Sequence, residues 1–286
     1  MIERTKEKGL DLEDSVREML RAIGTAPDDD FPMLSSALYL AAARQPGLNP
    51  GPYERHLERL ASEVADYAGP GETPLALKHE ALVQVIDRRY GYGGNESVFE
   101  DLDAANMARV IDTRRGLPVA LGVIYIEACR RLGWDMVGLD FPGRFLVRLQ
   151  DAGERMILDL FEGARELTPP ELRTMLKTMA GAEAELHPRY LSEMTARQVV
   201  LRLEDNIRVR QMQRGELSAA ADTVDLMLMI APEAGHLWRE AGIVNARLER
   251  FASAVAALEE YLKRAPGEEN GYEASLLLQE LKAKLN

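Results

Sequence analysis

The side chains best suited to covalent or metal chemistry are few in this sequence. Cys129 is its only cysteine, which excludes an internal disulfide and leaves one thiol as a potential nucleophile. Apolar neighbours surround it, and free cysteine is among the most buried residue types, so we expect a buried thiol. The histidines are widely separated and form no paired metal-ligand pattern. We interpret these four as exposed or capping residues: His56, His79, His187 and His236.

Two other groups of residues have a local structural explanation. The acidic run Asp28–Asp30 precedes an apolar helical segment, and acidic residues at that position cap a helix and suit the positive end of its dipole. The glycines Gly91, Gly93 and Gly94 lack the spacing of a nucleotide-binding loop, so they indicate a turn. The sequence therefore predicts neither a metal nor a cofactor.

A helix and three strands must position any chemistry in the middle of the chain. Gly116 and Pro118 are typical of a turn that runs into a helix. Residues 118–132 are apolar almost all round, which predicts a buried helix at the centre of its domain. Three short segments then favour an antiparallel sheet packed on that helix, at residues 136–140, 144–150 and 155–160.

Several sequence blocks carry a family resemblance. They are YGYGGN (90–95), RRGLP (114–118), RRLGW (130–134), DFPGRFLVR (140–148) and ILDLFEG (157–163). In this order they resemble the bacterial SirB family, which is named for an invasion regulator and joins a transglutaminase-like core to tetratricopeptide repeats. The resemblance covers roughly residues 31–180. It implies a core in which a helix presents a cysteine nucleophile and the following strands supply a histidine and an aspartate.

Transferring that triad to this sequence gives degenerate catalytic positions. The nucleophile position falls at Pro118 or Val119, and neither side chain can attack a carbonyl. Arg144 occupies the histidine position, and its guanidinium stays protonated, so it cannot act as a general base. Asp159 alone matches the orienting acid, and we expect it to hold local structure or to pair with Arg144. The sequence therefore predicts that the protein is not an enzyme.

The C-terminal part shows a helical repeat. Its markers resemble those of a tetratricopeptide repeat, namely Trp238, Ala241, Gly242, Ala254, Leu258, Tyr261 and Pro266. Two of them recur one period earlier at Ala220 and Pro232, in an upstream repeat that is degenerate at Glu204 and Arg208. A final amphipathic helix at residues 272–285 is expected to cover the open end of the array.

Composition limits the class of protein further. The apolar fraction is 46% and the formal net charge is −12, which disfavours nucleic-acid partners. The longest strongly apolar segment, which begins at Val119, is too short to cross a bilayer, and the charged N-terminus has no signal-peptide core. We therefore expect a cytoplasmic protein that neither spans nor binds a membrane.

Together these observations predict an α+β fold, mostly helical, in which a helical transglutaminase-like domain with a small antiparallel sheet precedes a tetratricopeptide α-solenoid. The predicted boundaries are an N-terminal extension with a first helix (1–30), the transglutaminase-like domain (31–190), and the repeats with their capping helix (195–286).

The function expected from this organisation is a non-catalytic protein-interaction or regulatory module. A protein partner is predicted to bind the concave face of the repeats, and the candidate binding residues are Arg144, Arg208, Gln211, Arg239 and Asn245. One alternative is a cysteine hydrolase or acyltransferase that uses Cys129. Another is a small-anion sensor in the groove around Arg144, because guanidinium binds planar anions bidentately.

Overall fold

The structure is a computed structural model, and it describes residues 12–264 and 270–285. Pro266, one of the repeat markers, lies outside the described residues. The chain divides into two compact units: one spans Pro27–Leu203, and the other combines the segment up to Ala26 with the segment from Glu204 onward. The predicted fold class is confirmed, because the described residues form mostly helices and one small antiparallel sheet.

The helical elements are defined as follows. In chain order they are α1 (Asp14–Gly24), α2 (Met33–Arg44), α3 (Gly51–Ala68), α4 (Leu75–Leu82), α5 (Met107–Thr113), α6 (Pro118–Arg131), α7 (Pro169–Ala180), α8 (Ala196–Gln213), α9 (Leu217–Ile230), α10 (Gly235–Arg247), α11 (Phe251–Arg264) and α12 (Gly271–Leu285). None of the helices in the described part of the chain combines the length and apolar character that a membrane crossing requires.

Helix α6 is the centre of the Pro27–Leu203 unit, as predicted. Pro118 occupies its first turn, where the missing N–H is no loss, and most of its side chains are buried. The helix ends in a Schellman motif: Gly133 has a φ of +67°, its N–H donates to the carbonyl of Arg130, and the N–H of Trp134 donates to that of Cys129. Helices α2 and α3 pack on α6, as do two strands of the sheet.

The sheet contains the three predicted strands and two short additions. The strands are β1 (Asp135–Leu139), β2 (Leu146–Asp151), β3 (Glu154–Asp159), β4 (Arg165–Glu166) and β5 (Glu193–Met194). Their spatial order is β4-β3-β2-β1-β5, and each neighbouring pair is antiparallel. One face packs on α6. The other is partly covered by α7, whose first turn is closed by a capping box between Thr168 and Glu171.

Two local details differ from the sequence-based expectation. Asp28–Asp30 forms its own 3-10 turn instead of capping α2, which begins after Pro32 without a side-chain cap. The sequence also predicts a helix at about residues 75–89, but this segment is α-helical only to Leu82 and continues as a π-helix over Val83–Arg89. A π-helical turn shifts the register of the side chains that follow it, here the YGYGGN block.

The second unit consists of the repeat helices α9–α12, the C-terminal part of α8, and α1. Close packing of α10 on α11 depends on Gly242, because a Cβ there would lie 2.6 Å from Cγ of Leu258. A small residue at this repeat marker lets the two helices of a repeat approach closely. Helix α12 packs on α11 and α1 packs on α9, so a segment from the N-terminus joins the repeat unit.

Candidate functional site

Arg144 and Asp159, which the family resemblance aligns with the histidine and aspartate of the triad, form an ion pair. Nη2 of Arg144 lies 2.7 Å from Oδ2 of Asp159 and 3.4 Å from Oε1 of Glu162. Asp159 is the last residue of β3, and its Oδ1 accepts a hydrogen bond of 3.0 Å from the N–H of Phe161, which caps the following 3-10 turn. Arg144 enters from the loop between β1 and β2. The acid is thus fully buried, while 17% of the Arg144 side chain stays exposed.

Phe161 connects this pair to the glycine-rich block. The Arg144 guanidinium lies over the Phe161 ring, 5.2 Å from its centroid. The ring in turn lies against Gly94, where a Cβ would approach within 1.9 Å of Cε2. Gly94 therefore makes room for the ring on which Arg144 stacks. Three of the blocks that carry the family resemblance meet at this point.

Burial dominates the electrostatics of Asp159. Desolvation raises the pKa of its carboxyl above the ordinary value, and the Arg144 charge and the hydrogen bonds from Arg144 and Phe161 only partly oppose it. The group is therefore harder to ionise in the folded chain than in the unfolded one. Arg144 is the neighbouring cation that counteracts this penalty.

The two candidate nucleophile positions both lie in the core. Val119 is 2% exposed in the first turn of α6. Cys129 is fully buried about three turns further along that helix, with its Sγ 3.9 Å from Sδ of Met136. Burial raises the pKa of the Cys129 thiol well above its ordinary value, with partial opposition from the charge of Lys78. This environment favours the protonated, unreactive thiol.

In the repeat unit, a chain of ion pairs links three helices. Nη1 of Arg208 on α8 lies 3.0 Å from Oε2 of Glu240 on α10. The neighbouring Arg239 lies 3.6 Å from the other oxygen of Glu240 and 3.8 Å from Glu273 on α12. We refer to Arg208, Glu240, Arg239 and Glu273 as the ion-pair chain. Two of the four repeat residues predicted to bind a partner belong to it.

The other two predicted repeat residues are buried, which corrects the expectation that they are available to a partner. Gln211 is 8% exposed, and its Oε1 accepts a hydrogen bond of 2.9 Å from Oγ1 of Thr223 on α9. Asn245 is also 8% exposed and donates from Nδ2 to the carbonyl of Ala241 at 3.0 Å. The Gln211 amide thus links α8 to α9, whereas the Asn245 amide bonds within α10, and both satisfy polar groups inside the unit.

A second polar cluster was not anticipated. Arg114, the first residue of the RRGLP block, has a φ of +59°, which is uncommon for a residue with a side chain. Its Nη1 donates to the Tyr92 hydroxyl at 2.7 Å, and the same hydroxyl lies 2.9 Å from Nε2 of His56. Burial and the Arg114 charge lower the pKa of His56 to about 4. An open cleft of about 550 Å³ adjoins the cluster and also carries Asp112.

A second half-buried histidine in this unit is His79. Its Nε2 lies 2.8 Å from the carbonyl of Ala164. Neither His56 nor His79 is therefore the exposed or capping residue that the sequence suggested. Among residues 12–264 and 270–285, no group of three or more histidine, cysteine, aspartate or glutamate side chains is arranged to hold a metal ion.

The fold and this site define a transglutaminase-like domain joined to helical repeats, and sequence comparison agrees. Residues 51–205 match the family described as "Transglutaminase-like superfamily", and residues 207–279 match the "Tetratricopeptide repeat" family. The chain belongs to the transglutaminase-like superfamily.

Several named relatives are similar to this chain over most of its length. A "UPF0162 protein" of Xylella fastidiosa is 29% identical over 255 residues, which covers 87% of this chain and 89% of the relative. "Protein SirB1" of Salmonella typhimurium is 26% identical over 215 residues, covering 73% of this chain and 78% of that protein. A "UPF0162 protein" of Vibrio cholerae is 25% identical and covers 84% of this chain and 90% of its own length. The predicted resemblance to the SirB family is confirmed.

Proposed function

We propose that this protein is a non-catalytic interaction module in which the transglutaminase-like domain serves as a scaffold and the repeats bind a protein partner. The observation that carries the proposal is the Arg144–Asp159 ion pair. A base must be able to take a proton and hold it near the nucleophile, and a permanently charged guanidinium at that position can do neither. The acid that would orient a histidine instead neutralises an arginine.

The enzyme alternative is disfavoured by the environment of Cys129. A thiol nucleophile needs access to its substrate and a low pKa, whereas this thiol is fully buried and its pKa is raised by that burial. We expect slow reaction of Cys129 with a thiol reagent in the native protein and rapid reaction after denaturation, measured by mass spectrometry of the labelled chain. Fast native labelling together with a transamidation or amide-hydrolysis activity that Cys129→Ala abolishes would favour the enzyme.

The anion-sensor alternative requires an arginine whose charge is not already balanced by carboxylates of the protein. Arg144 is partly exposed beside Asp159, as that alternative expects, but it already faces the carboxylates of Asp159 and Glu162. A further anion would have to compete with two fixed negative charges. We therefore favour the repeats as the binding surface.

The ion-pair chain defines the kind of protein segment that we expect there. Positive and negative groups alternate from α8 to α10 to α12, so a partner that presents both charges could exchange with these pairs at little electrostatic penalty. Tetratricopeptide arrays present an extended concave surface, which suits such a segment.

The test is affinity capture from the native cytoplasm with the full-length protein as bait, followed by mass spectrometry. Arg239→Ala and Arg208→Ala should each reduce recovery of the partner while the melting temperature stays nearly unchanged, because partly exposed pairs contribute only about 0–1 kcal/mol. Lys263→Ala on α11 is the matched control, since it also removes an exposed positive charge from the repeat unit. If partner capture is unaffected by the first two variants but lost in Arg144→Ala, the binding surface lies on the transglutaminase-like domain instead.

A further inference from the structure

An apolar cavity lies on the face of the sheet that α6 does not cover. It measures about 480 Å³, within the range of small-molecule sites, and belongs entirely to the Pro27–Leu203 unit. Ile157 of β3 and Leu172 of α7 contribute apolar surface, together with Leu186 and Leu191 from the segment after α7.

Two arginines give this cavity a polar end. In the antiparallel pairing of β2 with β3, Arg148 is opposite Ile157, and Gln150 is opposite Arg155. Because alternate residues of a strand share a face, Arg148, Arg155 and Ile157 all lie on the cavity side. The sheet register therefore places two guanidinium groups next to an apolar floor.

The two arginines differ in how their charges are balanced. Arg148 is mostly buried, pairs with Glu193 and donates from Nε to Gln150 at 2.9 Å. Arg155 is exposed and makes no ion pair with any residue that the structure describes. No carboxylate lines the cavity among the described residues, although the chain has 47 acidic residues and a net charge of −12. The cavity is thus a local positive region of an acidic protein.

From this combination we infer that the cavity binds an amphipathic carboxylate, an acyl chain with a terminal acid. The acyl chain occupies the apolar floor, and its carboxylate pairs with Arg155, with Arg148 as the second neighbouring cation. Guanidinium recognises carboxylate through two parallel N–H donors, which fixes the orientation of the ligand. The site is independent of the interaction surface on the repeats.

Calorimetric titration of the full-length protein with decanoate, below its micelle-forming concentration, tests the inference. We expect saturable binding, weaker binding of 1-decanol, which lacks the charge, and weaker binding of acetate, which lacks the chain. Arg155→Gln should weaken decanoate binding by about tenfold or more, as expected for loss of a charged hydrogen-bond partner. Arg173→Gln on α7 is the matched control, because it removes the same charge from an exposed arginine that does not line the cavity.

Three results would overturn the inference. One is absence of decanoate binding to the wild-type protein. Another is equal weakening by Arg155→Gln and Arg173→Gln, which would indicate only a general charge effect. The third is tighter binding of a short peptide with a C-terminal leucine carboxylate than of decanoate, which would assign the cavity to peptide recognition. Circular dichroism of each variant verifies that the fold is retained.

Discussion

At the scale of single residues, the Arg144–Asp159 pair joins a buried acid to a partly exposed arginine. The acid is fully buried and the arginine is its neutralising partner, so the two side chains have unequal roles. Loss of Arg144 alone leaves the Asp159 carboxylate buried without its cation. Replacing both side chains leaves no buried charge at this site. Stability measurements can separate these cases, because stability depends on the ionisation of Asp159, and therefore on pH, only when the acid remains.

We expect Arg144→Ala to destabilise the protein by about 3 kcal/mol at pH 7, near the lower end for breaking a buried pair, because Arg144 is partly exposed. The pKa of Asp159 is already raised by burial and rises further without the cation, so folding stability is lost as pH increases through that pKa. The deficit relative to wild type should therefore shrink towards pH 4. Urea unfolding at several pH values measures it. The double variant Arg144→Leu with Asp159→Asn should recover much of the loss, and a deficit that is constant with pH would contradict the role of Asp159.

His56 makes folding stability depend on pH in the opposite direction to Asp159. Its pKa falls from 6.5 to about 4 in the folded protein, mainly through burial and then through the Arg114 charge. As pH decreases through this window the unfolded chain gains a proton that the folded chain does not, so stability declines. His56→Gln should flatten the decline between pH 6.5 and pH 4.5 in urea unfolding. His236→Gln is the matched control, because it makes the same substitution at an exposed histidine of the repeat unit.

At the scale of elements, the contact between α6 and the sheet depends on two glycines that accommodate one ring. A Cβ on Gly122 would lie 2.3 Å from Cε1 of Phe145, and a Cβ on Gly138 of β1 would lie 2.9 Å from Cζ of the same ring. Gly122 is in the middle of α6, where glycine is unfavourable for helix formation. Packing against Phe145 outweighs that preference.

Gly122→Ala should therefore lower the free energy of unfolding by about 1–3 kcal/mol through overpacking. Helix propensity alone predicts the reverse sign, a gain of about 1 kcal/mol. Combining it with Phe145→Leu should give a loss smaller than the sum of the two single losses, because the smaller side chain makes room for the methyl group. Chemical denaturation of the four proteins measures the coupling, and a stabilised Gly122→Ala would show that the ring is not seated there.

Elements with strong local signals were predictable from the sequence. Helix α6 ends within one residue of the prediction because Pro118 and Gly133 mark its two ends with local chemistry. The three main strands were also found, since each carries a run of apolar and β-branched residues. Strands β4 and β5 contain two residues each and depend on their pairing with distant strands, which no local pattern encodes.

The site was less predictable for a similar reason. The pairing of Arg144 with Asp159 could be anticipated, because the family resemblance aligns both positions. The contact of His56 with Tyr92 could not be anticipated, because the two residues are 36 positions apart in the sequence. The π-helical turn that precedes Tyr92 also shifts its position in a way that no local pattern encodes. Gln211 and Asn245 were misjudged because polarity suggests exposure, whereas the packing of neighbouring helices buries both amides.

At the scale of the whole molecule, one compact unit is built from two segments that are far apart in the sequence. The repeat unit contains α1 as well as the C-terminal helices, and the boundary at Leu203 falls inside α8. A truncation at residue 195 would therefore remove core residues of the other unit, such as Val199 and Val200. Point variants are consequently better probes of each unit than deletions.

Gly24, at the end of α1, provides such a probe. A Cβ there would lie 2.1 Å from the backbone oxygen of Met229 on α9, and a backbone atom cannot move away as a side chain can. Gly24→Ala should destabilise the repeat unit by about 1–3 kcal/mol. Gly271→Ala at the start of α12 is the matched control, because a Cβ there meets nothing within 4 Å.

The two tryptophans make this prediction specific to one unit. Trp238 belongs to the repeat unit and donates from Nε1 to the carbonyl of Pro232 at 2.8 Å, whereas Trp134 lies in the Pro27–Leu203 unit, with Lys78 over its ring. In a Trp134→Phe background, tryptophan fluorescence during denaturation follows unfolding of the repeat unit. In a Trp238→Phe background, it follows unfolding of the Pro27–Leu203 unit. We expect Gly24→Ala to lower the midpoint in the first background more than in the second. A shift confined to the second background would mean that α1 stabilises the transglutaminase-like unit, and would contradict its assignment to the repeats.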